Sequence, residues 1–177
     1  DNGSTDNCSI ITYALGIASA PTTGSLSTLY TGGNGGSNGG AVYFDLTVGP
    51  NDIDVTSIDI NTGEAGTVTM NVFTIVGTSV GNESNAGAWG AADALATGTA
   101  AGAGNPSNLI LDNPITFNAN TTYGIALDIT SAHAFDYTNG TGCPGNQCFS
   151  NADLSLALGT ASNVPFTTPI FSPRVFN

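Results

Sequence analysis

Residues 41–48 read AVYFDLTV. Val42, Phe44, Leu46 and Val48 fall on one parity, and Tyr43, Asp45 and Thr47 on the other. Successive side chains of a strand point to opposite faces, so this alternation predicts a strand with one apolar face. The same period recurs outward from it. In TVTMNV (67–72) Val68, Met70 and Val72 align. In TYGIALDI (122–129) Tyr123, Ile125, Leu127 and Ile129 align, and in ADLSLAL (152–158) Leu154, Leu156 and Leu158. IDVTSIDI (53–60) slips phase between Val55 and Ile58, which predicts a bulge near Thr56–Ser57.

Breakers separate these runs: TGGNGGSNGG (31–40), VGPND (48–52), NTGEAG (61–66), GAGNPSN (102–108), DNP (112–114) and TNGTGCPGNQ (138–147). The Ala-rich stretch 85–104 favours helix by propensity, but Gly87, Gly90 and Gly98 interrupt it. One or two turns around Asn85–Trp89 followed by a strand is the expectation. Short strands at this spacing indicate an all-β, antiparallel, jelly-roll-like β-sandwich. The Gly-rich segment 31–40 has no Lys and no following helix, so it reads as a loop between strands and not as a phosphate cradle.

Composition narrows the partners. The 177 residues carry thirteen acidic side chains against a single cation, Arg174, for a formal charge of −12. A chain so acidic does not bind nucleic acid by neutralising phosphates, and it is repelled by anionic lipid heads. Charged residues make up only 8% of the chain while apolar ones make up 40%, which is not the composition of a disordered segment. No apolar run reaches the ~20 residues of a membrane span. A surface made soluble by Asn, Ser, Thr and Gly, together with a first residue that is not Met, reads as a secreted chain with its signal peptide removed.

Cys143 and Cys148 in GCPGNQCF are close enough to close a disulfide across a tight turn. Cys8 is left over, either pairing with another chain or buried as a small apolar residue. His133 stands alone, so a zinc site is not expected. It lies near Asp136, but no nucleophile-elbow motif accompanies it, and the two glutamates, Glu64 and Glu83, form no recognisable acid–base pair. No catalytic residue, cofactor or enzyme activity is expected. Asn51, Asp52 and Asp54 bring oxygen ligands to short spacing and form a weak Ca²⁺ candidate that turn chemistry explains equally well. Asn2, Asn7, Asn82, Asn120 and Asn139 open N-x-S/T sequons, the acceptor pattern for glycans. Trp89 and the tyrosines at 13, 30, 43, 123 and 137 are candidate sugar-stacking platforms, with core packing the plainer role for Trp89 and Tyr123.

GGAVYFDLTV (39–48), GNESNAGAW (81–89), YTNGTG (137–142), SNADLSLALG (150–159) and PFTTPIFSPRVFN (165–177) together resemble a family of secreted bacterial β-sandwich domains. These occur singly or as repeats in large surface and extracellular proteins. The resemblance implies a stable extracellular module, used in adhesion or as a structural repeat, with no catalytic residues to carry over. Two departures stand out. Family members continue past the element matching SPRVFN with a short final strand, and residues 1–29 have no counterpart in the usual module.

That extension suggests an arm and linker over 1–25 ahead of a sandwich domain over 26–177. The arm holds CSIITYALGI (8–17), rich in β-branched and aromatic residues. A sandwich short of one strand exposes unpaired backbone groups and an apolar groove. Cys8, Ile10, Ile11, Tyr13, Leu15 and Ile17 are therefore the candidate donor-strand contacts. The arm either folds back to close a monomer or enters a neighbouring copy, as in donor-strand complementation. A head-to-tail contact of the second kind builds a homopolymeric filament. Arg174 is expected to be a structural clamp, near carboxylates such as Asp45, Asp136 or Asp153 and bidentate to carboxylate or carbonyls.

Overall fold

The computed structural model describes residues 24–29 and 32–177. The donor-strand candidates at 8–17 lie outside the described residues, as do Asn2, Asn7, Tyr13 and Tyr30. Among the described residues there are twelve strands and one short helix: β1 (Asn34–Gly35), β2 (Ala41–Val48), β3 (Ile53–Ile60), β4 (Thr67–Val76), α1 (Ala86–Trp89), β5 (Ala94–Thr99), β6 (Ser107–Phe117), β7 (Thr122–Ile129), β8 (Asp136–Asn139), β9 (Cys148–Ser150), β10 (Leu154–Ser162), β11 (Ile170–Phe171) and β12 (Arg174–Val175). All described pairings are antiparallel. The main sheet runs in the order β11-β10-β2-β7-β4-β5-β6-β3, with β9 beside β10, and a small sheet runs β1-β8-β12.

The chain is an all-β sandwich. The connections β2→β3, β3→β4 and β6→β7 each join strands that are not paired with one another. The face of β2, β4, β7 and β10 meets the face of β5, β6 and β3 over one apolar core. Val42, Phe44, Leu46 and Val48 enter it with Val68, Met70 and Val72, and with Ile125, Leu127 and Ile129. Leu109, Leu111 and Phe117 of β6 come from the opposite layer. Each large side chain buried this way contributes about 1.5–3 kcal/mol. Neighbouring strands of one layer crowd at Gly98 of β5: a Cβ there would run into the Asn108 carbonyl of β6, so the position requires glycine.

The bulge in β3 falls where the phase slips, with the register shifting between Val55 and Ser57. The helix is one turn, and β5 follows it. Two expectations are corrected. DNP does not end a strand, because β6 runs through it. Pairing to β3 lapses between Ile110↔Ser57 and Ile115↔Val55, so Pro114 has no ladder bond to forfeit, and Asp112 accepts from the Leu95 N–H at 2.9 Å. The Gly-rich loop contains a short strand, β1, which pairs with β8 through Asn34↔Tyr137 and Gly35↔Asp136.

The outer parity of β2 does not face water throughout. Tyr43 is 1% exposed and belongs to a second apolar cluster with Ala41, Phe73, Trp89 and Ala126, packed by Ile75, Ala88 and Phe166. Residues 78–90 and 163–167 bring the covering side chains. Asp45 anchors the first of these segments by accepting from Thr78 Oγ1 at 2.6 Å and from Ser79 N and Oγ at 2.7 Å.

Candidate functional site

An open groove lies beside β3. Among the described residues β3 pairs with β6 alone, so its other edge carries backbone donors and acceptors without a strand partner. Across from that edge stand Phe44 and Leu46 of β2 and Leu154 and Leu156 of β10, with Ile125 and Phe117 deeper and Phe176 among the lining residues. The space between has a volume of about 930 Å³.

Burial marks where cover is lacking. Along β10, Leu158 is 3% exposed, while Leu154 and Leu156 in the same row are only half-buried. Along β3, Ile60 is fully buried, while Ile53, Val55 and Ile58 are half-buried. These half-buried apolar side chains of β3 and β10 face one channel between the two strands. Asp52, Asp54, Asp59 and Asp153 also line it. Residues 24–28 border the same channel, where the Ser25 carbonyl accepts from Asn151 Nδ2 at 3.4 Å.

The sequence-derived candidates lie elsewhere. Arg174 is clamped by aromatic faces and by a carbonyl, one of the two expected kinds of anchor: its guanidinium carbon sits 5.6 Å from the Tyr137 ring centroid and 5.7 Å from that of Phe171, and Nη1 donates to the Pro173 carbonyl at 2.9 Å. Cation–π contact explains why the cation needs no acid beside it. Asp45, one proposed partner, is already taken by Thr78 and Ser79.

Cys143 and Cys148 form a disulfide. The loop they close is pinned through Gln147, whose Nε2 donates to the Leu158 carbonyl at 2.6 Å while its Oε1 accepts from Gly142 N at 2.6 Å. The Asn51–Asp54 carboxylates do not converge. Asp52 accepts from Ala119 N at 2.7 Å and Asp54 from Thr116 Oγ1 at 2.6 Å, and among the described residues no three His, Cys, Asp or Glu side chains gather to hold a metal.

His133 is buried, with Nδ1 3.0 Å from Ser131 Oγ. That hydroxyl also accepts from Thr69 N at 3.1 Å. Burial pulls Glu64 upward, but hydrogen bonds from Thr62 Oγ1 at 2.6 Å and Ala134 N, with His133 nearby, outweigh it and hold the carboxyl below its ordinary range. Asp136 is pushed up, first by burial and then by the Glu64 charge. Glu83 accepts from Gly81 N at 2.7 Å and shares no described partner with Glu64. Trp89, Tyr43, Tyr123 and Tyr137 are all at least nine-tenths buried, so none of them presents a ring for sugar stacking.

Among the sequon asparagines, Asn120 is exposed at the β6–β7 turn. Asn82 donates to the Thr78 carbonyl at 3.1 Å, and Asn139 accepts from Asn34 Nδ2 at 2.9 Å. An apolar groove was expected from a missing strand, but its place beside β3 was not read from sequence. Leu154 and Leu156 read as ordinary core by their alternation, and the only hint of an edge was the phase slip in β3. No helix among the described residues is long and apolar enough to cross a membrane. No family model matches the chain, and no curated protein matches it in sequence.

Proposed function

We propose that this protein is a structural subunit of an extracellular filament or matrix polymer, assembled by β-strand addition, in which the arm at 8–17 of one copy fills the groove of the next. The observation that carries the reading is the eight-residue edge of β3 bordering a channel lined by half-buried Ile, Val and Leu side chains. An uncovered edge of this length beside apolar surface is a site for a further strand. The disulfide and the near absence of cations fit a chain that works in an oxidising, extracellular setting, with its own copies as partner and no catalytic role.

The runner-up is a monomeric adhesion or carbohydrate-binding module whose arm closes its own groove. The Ser25–Asn151 contact at the channel favours that alternative, since it starts the arm beside its own acceptor site. The burial of Trp89, Tyr43, Tyr123 and Tyr137 weakens its sugar-binding form. Sizing of the full chain separates the two. Polymers that survive strong detergent are expected, and their loss on deleting residues 1–20. A stable 17.6 kDa species in mild buffer at high concentration would overturn strand exchange.

A further inference from the structure

We infer that the segment entering the groove is residues 11–17 of a second copy, laid along the free edge of β3 in the one phase that turns Ile11, Tyr13, Leu15 and Ile17 inward. This rests on the strand-exchange reading and adds the docking edge, the boundaries of the strand and its phase.

The edge follows from strand length. The main sheet ends in β11, two residues long, and in β3, eight residues long, and the side strand β9 has three. A donated strand is held by a run of main-chain hydrogen bonds, and β3 alone among these offers one. The boundaries follow from burial. Cover is lacking from Ile53 to Ile58, while Ile60 is already enclosed. Six residues of strand span roughly 20 Å and seven roughly 23 Å, so residues 11–17 match the open stretch.

The phase follows from parity. Ile11, Tyr13, Leu15 and Ile17 are all large and apolar, whereas Thr12, Ala14 and Gly16 between them are polar or small. The second set suits the outer face, where Asp54 and Thr56 of β3 are exposed. Cys8 and Ile10 belong to that outward parity and so drop out of the inward set. Charge agrees: Asp52, Asp54, Asp59 and Asp153 among the lining residues disfavour an acidic occupant, and residues 11–17 carry no charge.

The test is a set of full-length single substitutions to Asp at 11, 13, 15 and 17, and at 10, 12 and 14, read as the detergent-resistant polymer fraction and as the unfolding midpoint of any monomer. An inward Asp places an unpaired charge against apolar surface. The odd positions are expected to cut the polymer by about tenfold or more, with the even positions within about twofold of the parent. Polymers with a flat or inverted profile overturn the phase while leaving strand exchange standing. A chain that stays monomeric overturns the second copy as occupant. If the midpoint of that monomer still falls only at the odd positions, the phase and edge survive for an arm that folds home.

Discussion

Phe176 lies flat on Phe44, with ring centroids 5.6 Å apart and planes 6° apart, and Phe135 meets Phe176 edge-on at 5.8 Å. The pair ties the segment after β12 to the centre of the main sheet beside the open groove. Phe176 is 8% exposed. Phe176→Ala is expected to cost about 3 kcal/mol, from lost transfer energy plus the cavity left behind. Denaturant unfolding checks this: the midpoint should fall with the slope unchanged. A loss below about 0.5 kcal/mol, the range of ordinary surface substitutions, would mean the ring pair does not anchor this end of the chain.

Tyr43 is the polar centre of the outer cluster. Its hydroxyl lies 3.0 Å from Ser162 Oγ and accepts from Phe166 N at 2.7 Å, while its ring lies 6.1 Å from Trp89. Tyr43→Phe keeps the packing and strands the Phe166 N–H, with an expected loss of about 1–2 kcal/mol. Trp89 is the single tryptophan and donates from Nε1 to the Asn82 carbonyl at 2.9 Å. Its fluorescence should be that of a buried indole in the parent and should shift to longer wavelength as the variant loosens residues 163–167.

The strands and core of this fold were legible because period-two alternation survives wherever one face is buried. Val42, Phe44, Leu46 and Val48 show it at full strength. Tyr43 was not legible, because its cover comes from residues 82–89 and 163–167, distant in sequence and without a repeating pattern. DNP misled because Pro and Asn signal a break only where a ladder bond is needed, and at Pro114 none is. The carboxylates expected around Arg174 came from charge counting, which cannot foresee that two aromatic rings reach the guanidinium first. A groove was expected, but its place was least legible: Leu154 and Leu156 have the same alternation as buried Leu158, and nothing in that pattern tells the covered from the uncovered end of β10.

The loop closed by Cys143 and Cys148 spans a sequence separation of 5 and joins β8 to β9. A loop this short restricts the unfolded chain modestly, by about 2 kcal/mol in the chain-entropy account. The double change Cys143→Ser, Cys148→Ser should lower stability by that order while leaving the fold in place, since the loop stands outside both apolar clusters. Reduction of the parent should reproduce the same loss. Complete unfolding on reduction would mean the bond holds more than its loop.

Gly124 lies in β7 directly under residues 78–79. A Cβ there would sit 2.5 Å from Ser79 N and 2.7 Å from the Thr78 carbonyl carbon. These are the residues Asp45 anchors, so they cannot move away without giving up three hydrogen bonds. Gly124→Ala is expected to destabilise by about 1–3 kcal/mol through overpacking. Asp45→Ala made alongside it should recover part of that loss, because it frees the segment to shift. A double-mutant cycle gives the coupling.

Asp128 pairs across strands with Asn71 and with Ala41 on the half-buried outer side of β7. Burial pushes its carboxyl above the ordinary value of 3.8, and the hydrogen bond from Asn71 opposes this only in part. A carboxylate raised on folding is neutral in both states below the ordinary value, so it contributes nothing there. As pH rises through the ordinary value toward the raised one, the unfolded chain ionises first and the folded state loses stability. Above the raised value the loss is complete and constant. Asp128→Asn keeps an acceptor for Asn71 and removes the charge. The variant should melt higher than the parent at neutral pH, and the gap should close as pH falls below 3.8. Asp136 is raised in the same sense and Glu64 lowered in the opposite one, so the parent's own profile combines all three. The difference between variant and parent isolates Asp128. A gap that widened toward acid would mean its folded value lies below the ordinary one, with Asn71 outweighing burial.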